Sequence, residues 1–360
     1  MAFNRFDYLD IAKGFGILFV VWAHIMLTGV THQMIYAFHM PLFFLLSGML
    51  FQRGKYDSFP QFLKKRAKRL LVPYVAWSVV TWCVWFVFRY VRHDPVDSYW
   101  MPLLQTVIAQ GSGEFIVHNS ALWFVPCLFL VEIMYFGISR LSTSVRLLIC
   151  FGCAGLSFLL GALYGKDYWP LLPWNMDAAL IALPFYGVGN VLISKYPHAV
   201  VVESAHKHWK WYAFSCVCLT IVLYWGATAY GECSMGSSSY FTNGFVFVVR
   251  AFVGCASLLC LSLLLGNIQK PFYLLSVILR YIKWAGVNSL DIMCSHIPIK
   301  GVCMIIVAFV LHVTVDQISN SLLLSFYSFV ITMIGVWLAV LSANWVRTIR
   351  RNHRNEYPDI

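Results

Sequence analysis

Ten times along the chain a predominantly apolar run of about twenty residues recurs, the length a helix needs to cross the hydrocarbon core of a bilayer. Few other features restrict a fold so tightly, because lipid leaves only helices and closed barrels able to satisfy every backbone N–H and C=O. Barrel strands alternate apolar and polar at every second residue, and these runs do not. The expectation is therefore an all-α polytopic membrane protein with about ten spans. They fall near 11–31, 34–52, 70–92, 121–139, 146–164, 177–195, 211–230, 244–265, 286–312 and 321–346. Composition agrees: 60% of the 360 residues are hydrophobic and 11% charged, with a mean hydropathy of +0.72.

The basic residues orient the spans. With the N-terminus placed inside, the inner segments hold Arg5 and Lys13, the cluster Lys64, Lys65, Arg66, Lys68 and Arg69, then Arg140 and Arg146. Further along they hold Lys207, Lys210, Lys270, Arg280 and Lys283, and finally Arg347, Arg350, Arg351 and Arg354. The outer segments hold only Arg89, Arg92 and Lys166. This asymmetry predicts both termini in the cytoplasm of a multi-pass cell-membrane protein, inner or plasma membrane. Reporters at Ser58 and Lys207 should read cytoplasmic, and at Gly113 and Ser237 external. The net charge of +11 then records topology and calls for no nucleic acid partner. The chain divides into a transmembrane domain at 1–346 and a basic cytoplasmic tail at 347–360. Asp7 and Asp10 in front of a long first run, with no A-x-A-like site behind it, argue against a cleaved signal peptide. The 11 cysteines show no zinc-site or disulfide spacing, and no metal is expected.

Ionisable groups inside spans are costly and usually face a cavity or a partner. They are His24, His39, Glu132, Arg250, Asp291, His296 and Lys300. His24 and His39 flank the short turn "TGVTHQ", so they share one half of the bilayer and are able to approach each other. Glu132 and Arg250 are expected to pair inside the bundle, whereas Asp291 and Lys300 are expected to snorkel from span ends.

"LDIAKGFGILFVVWAH" carries the most informative pair. Lys13 and His24 are eleven residues apart, three turns, and so project from nearly the same face about 16 Å apart. A cation stands at one end of that face and a potential general base at the other. A donor with an anionic head and a long thin reactive arm fits them, and acyl-coenzyme A has that shape. Arg66 and Arg69 in "FLKKRAKRLLVPY" share a helical face and suit its phosphates. Lys64 and Lys68 are read as inner-face anchors.

With these stretches in view, the chain resembles the membrane-bound acyltransferase 3 family. "LDIAKGFGILFVVWAH" is similar to its opening, a basic residue and ten positions before a histidine; "FHMPLFFLLSGMLF" is similar to its second span and "KRAKRLLVPY" to its basic motif. "ALWFVPCLF" and "NSLDIMCSHIPI" look like later segments. The closest likeness is to the sugar O-acetyltransferase branch that modifies surface polysaccharides and their lipid-linked precursors. The family's usual arginine before the ten-residue gap is Lys13 here, which keeps the charge and loses the bidentate fork. The resemblance implies that acetyl-CoA, or another short acyl-CoA, docks from the cytoplasm on Lys13, Arg66 and Arg69. His24, assisted by His39, then serves transfer to a sugar hydroxyl, either as a general base or through an acyl-histidine. Trp123, Glu132, Arg250 and His296 fall to the substrate side. The acceptor is a surface polysaccharide or a lipid-linked glycan, with membrane lipid as the surrounding partner. A secondary transporter or flippase is the alternative, although the halves show none of the inverted repeats such proteins usually carry.

Overall fold

A computed structural model describes residues 7–109, 116–168, 173–235, 244–268 and 271–356, with the side chains of 164–168 and 350–356 left out of account. Arg5, Gly113, Ser237 and Lys270 lie outside the described residues, as do the side chains of Lys166, Arg350, Arg351 and Arg354. Within them the chain is helical, and no strand occurs among the described residues. The helices are α1 (Asp7–Ile25), α2 (Val30–Leu50), α3 (Phe59–Arg92), α4 (Met101–Ile108), α5 (Phe124–Ile138), α6 (Thr143–Tyr168) and α7 (Met176–Lys195). After them come α8 (His198–Lys207), α9 (Trp209–Tyr230), α10 (Gly244–Gly266), α11 (Tyr273–Val287), α12 (Ser289–Leu311), α13 (Val315–Asn320) and α14 (Leu322–Glu356).

Ten of these segments are long and apolar enough to cross a membrane, matching the expected number. Two ends depart from the apolar windows. α3 begins at Phe59 because Ser58 caps it, its hydroxyl accepting from the Gln61 N–H at 3.4 Å, and Pro60 suits the first turn. The Lys64–Arg69 cluster is thereby on the helix itself and not in front of it. α14 likewise continues past its apolar part to Glu356. α4 falls within the segment "YWMPLLQTVIAQ" of the loop between the third and fourth spans.

α1 and α2 form the centre. α1 is surrounded by α2, α10, α11, α12 and α14, and α2 by α1, α7, α9 and α10. Of the α2 span 72% is buried and of α1 61%, against 17% for α9, so the helices that carry His24 and His39 are well shielded and α9 faces outward. Small residues set the close approaches. A Cβ at Gly286 of α11 would strike the Asp10 carbonyl of α1, and one at Gly14 the Ile282 carbonyl of α11. Gly48 and Gly189 do the same between α2 and α7. α11 packs against the first half of α1, where Lys283 Nζ meets Asp7 Oδ2 at 2.6 Å.

Candidate active site

At the end of the bundle where α1 starts, the chain encloses a cavity of about 520 Å³. α1 contributes Asp10 and Lys13, α3 Arg66 and Arg69, α12 Asp291 and α14 Arg347. The sequence-expected trio Lys13, Arg66 and Arg69 is therefore brought together, with Arg347 as a fourth cation. Tyr56 and Ser47 add hydroxyls to the wall.

The cations differ in their partners. Arg66 directs Nε and Nη2 onto the two oxygens of Glu132 on α5, whose side chain is completely buried. This corrects the expected Glu132–Arg250 pair. α3 packs along α5 and presents its arginine fork to the carboxylate, so Glu132 is already used. Arg250's hydrogen bonds go instead to the Gly231 carbonyl (3.0 Å), Cys233 Sγ (3.2 Å) and the Gln33 carbonyl (3.4 Å). Lys13 stands 3.7 Å from Asp10. Arg347 grips Asp291 with two bonds of 2.6 and 2.8 Å, and Trp77 Nε1 donates to the same carboxylate at 2.9 Å. Asp291 consequently does not snorkel; it is buried and ties α3, α12 and α14 together. Arg69 is exposed and makes no hydrogen bond or ion pair among the described residues.

At the opposite end of α1 a second group gathers. His24 Nδ1 is 3.2 Å from the Tyr36 hydroxyl, and its ring stacks on His296 with centroids 5.1 Å apart. Tyr36 lies edge-on to His39 at 4.9 Å and beside His32 at 4.1 Å. The two histidines expected to approach each other thus meet through a tyrosine. His39 Nδ1 donates to the Ile35 carbonyl (2.8 Å), which leaves Nε2 as the acceptor of a neutral ring. His296 Nδ1 lies on the Ile292 and Met293 carbonyls at 3.0 and 2.9 Å, and its Nε2 is buried without a partner among the described residues. Lys300 also departs from the snorkelling expectation: its Nζ turns inward and donates to the His24 carbonyl at 3.1 Å, fixing the end of α1.

Trp123 is buried against Phe124 at the start of α5. The preceding Asn119 donates to the Cys294 carbonyl at 2.6 Å, which anchors this connection two residues from His296. Between the two polar groups lies an apolar ceiling. Phe43, Phe124 and Met293 line the cavity, and Phe43 meets Phe124 edge to face at 5.8 Å. Phe43 is one turn from His39 and Met293 one turn from His296.

Sequence reasoning missed Tyr36 and Arg347. Tyr36 carries no charge at neutral pH, so a search for intramembrane ions passes over it, yet His32, Tyr36 and His39 at i, i+4 and i+7 mark one helical stripe. Arg347 reads as a topology residue until α14 turns it onto Asp291.

Comparison with known proteins adds the family. Its model, described as an acyltransferase domain, matches residues 6–341. No curated protein and no solved structure was found to match. An all-helical chain of ten candidate spans, matched over almost its whole length, belongs to the acyltransferase 3 family and is a multi-pass membrane acyltransferase.

Proposed function

We propose that the protein moves an acetyl or other short acyl group from acyl-CoA to a sugar hydroxyl of a surface polysaccharide or lipid-linked glycan. The donor enters at the cavity end, which faces the cytoplasm, and the acceptor arrives at the histidine end. The observation that carries this reading is the two-ended arrangement of α1: a four-cation cavity around Lys13 and a histidine–tyrosine cluster around His24, three turns apart.

Exposed, unpaired Arg69 is the first contact for the nucleotide phosphates, with Lys13 beside it. Arg66, oriented by Glu132, completes the anion site. The pantetheine arm extends along α1 past Phe43, Phe124 and Met293, whose side chains turn aside to admit it. At His24 the sugar oxygen attacks the thioester carbonyl as the ring takes its proton. The C–S bond then breaks, and the proton passes to the departing thiolate. Tyr36 and His296 hold the His24 ring by its edge and face. His39 and Trp123 meet the acceptor.

The test is incubation of membranes containing the protein with radiolabelled acetyl-CoA. Label should enter lipid-linked sugar or polymer. His24→Ala should abolish incorporation while membrane levels and donor binding persist, and His39→Ala should reduce it. Near wild-type turnover in the His24 variant would remove it from the chemistry.

A further inference from the structure

Away from the cation cavity, α9 and α10 leave between them a groove of about 170 Å³. Its walls are apolar, with Val222, Trp225 and Phe245 turned to the outside of the bundle; Trp225 is 63% exposed and Phe245 81%. The groove is smaller than the roughly 300–1,000 Å³ of a usual small-molecule pocket, and its apolar walls suit a stretch of hydrocarbon chain, not a sugar. Its only charged lining residue is Arg250, itself 4% exposed.

Arg250 is unusual for a buried guanidinium. Its Nη donors reach two backbone carbonyls and a thiol sulfur, and no carboxylate forms an ion pair with it among the described residues. Glu232, next to Cys233, is turned to His32 at 3.7 Å. Nε is buried without a partner among the described residues. The sequence of α9 explains why the groove reaches that atom. Gly226 lies over it, and a Cβ there would come within 3.3 Å of Arg250 Cδ and 3.5 Å of Nε. Arg250 sits six residues into α10, about 9 Å from its start, so the charge lies a short way below one membrane surface. A charge at that depth is costly unless a counter-ion meets it, and the described residues offer it only dipoles.

We infer that the α9–α10 groove is a site for an anionic phospholipid, its headgroup phosphate meeting Arg250 and one acyl chain lying along Val222, Trp225 and Val249. The site is separate from acyl transfer, and its failure leaves that reading untouched. It bears on α2 as well, since Arg250 also holds the Gln33 carbonyl, three residues before Tyr36.

The test uses the full-length protein in phosphatidylcholine nanodiscs doped with chain-brominated phosphatidylglycerol or chain-brominated phosphatidylcholine. Bromine quenches tryptophan on contact, and subtracting a Trp225→Phe variant isolates Trp225. Quenching should half-saturate at a mole fraction roughly fivefold lower for the anionic lipid, a modest share of one charge-assisted contact. Arg250→Gln should abolish that preference. Val249→Phe, which fills the groove and leaves Arg250 intact, should weaken quenching by both lipids and keeps the idea testable if Arg250→Gln fails to fold. Equal quenching by the two lipids in the wild type, or an unchanged preference in Arg250→Gln, overturns the site. Stronger competition by a polyprenyl phosphate than by unbrominated phosphatidylglycerol overturns the phospholipid assignment and gives the groove to a lipid-linked acceptor.

Discussion

Arg66 and Arg69 are one helical turn apart on α3, yet the first is locked to Glu132 inside the bundle and the second is exposed. Their substitutions should therefore fail differently. Removing one partner of a buried pair strands the other, at a cost of about 3–5 kcal/mol. Glu132→Gln should lower the melting temperature in detergent, and Arg66→Met combined with Glu132→Leu should recover much of it. The double variant should still need more acetyl-CoA to reach half-maximal rate, because its anion site has lost the guanidinium N–H donors that Glu132 leaves free. Recovery of both stability and KM would make the pair purely structural. Arg69→Gln should leave stability alone and raise the acetyl-CoA KM by about tenfold or more, as expected from the roughly 1.5–3 kcal/mol of a hydrogen bond to a charged group. Lys13→Gln should act in the same direction. An analogue without the 3′-phosphate should lose affinity for the wild type but not for whichever variant lacks that phosphate's partner. Normal donor binding by both variants would return these residues to topology alone.

The connections between helices carry their own liabilities. His118, in the link between α4 and α5, is buried with neither ring nitrogen partnered among the described residues, and burial pushes its imidazolium down from 6.5 to about 4. As pH falls the unfolded chain therefore takes this proton first. Stability should be insensitive to the group above about pH 7 and should drop between 6.5 and 4 by about 3 kcal/mol. Thermal melts across that range read the loss, and His118→Gln should flatten it; an equally steep profile in the variant would place the sensitivity elsewhere. What was legible at this scale follows from what is local. The spans announce themselves through runs of apolar residues, and Lys13 and His24 share a face because spacing on one helix fixes it. α11 was hidden because it is 15 residues long and interrupted by Ser276, Arg280 and Lys283, so it forms no continuous apolar run of spanning length. The partners of Glu132, Asp291 and Lys300 were hidden for another reason: each pairing joins helices far apart in the chain, where spacing has no authority.

For the whole molecule, every proposed role depends on which end faces the cytoplasm. Reporters at Ser58 and Lys207 should label from the cytoplasmic side and those at Gly113 and Ser237 from outside. Reversal of either pair would exchange donor and acceptor ends and dismantle the proposal. The same orientation gives a second meaning to the ceiling of Phe43, Phe124 and Met293. A protein that offers a charged chamber to one compartment and titratable rings to the other is one water file away from being a proton leak. On the proposed route, Phe43, Phe124 and Met293 keep the membrane insulated at rest. A slender arm that parts those rings fills the opening as it makes it, and its charged head stays behind. The traffic is then electrically silent, and the acyl group crosses without drawing on the membrane potential.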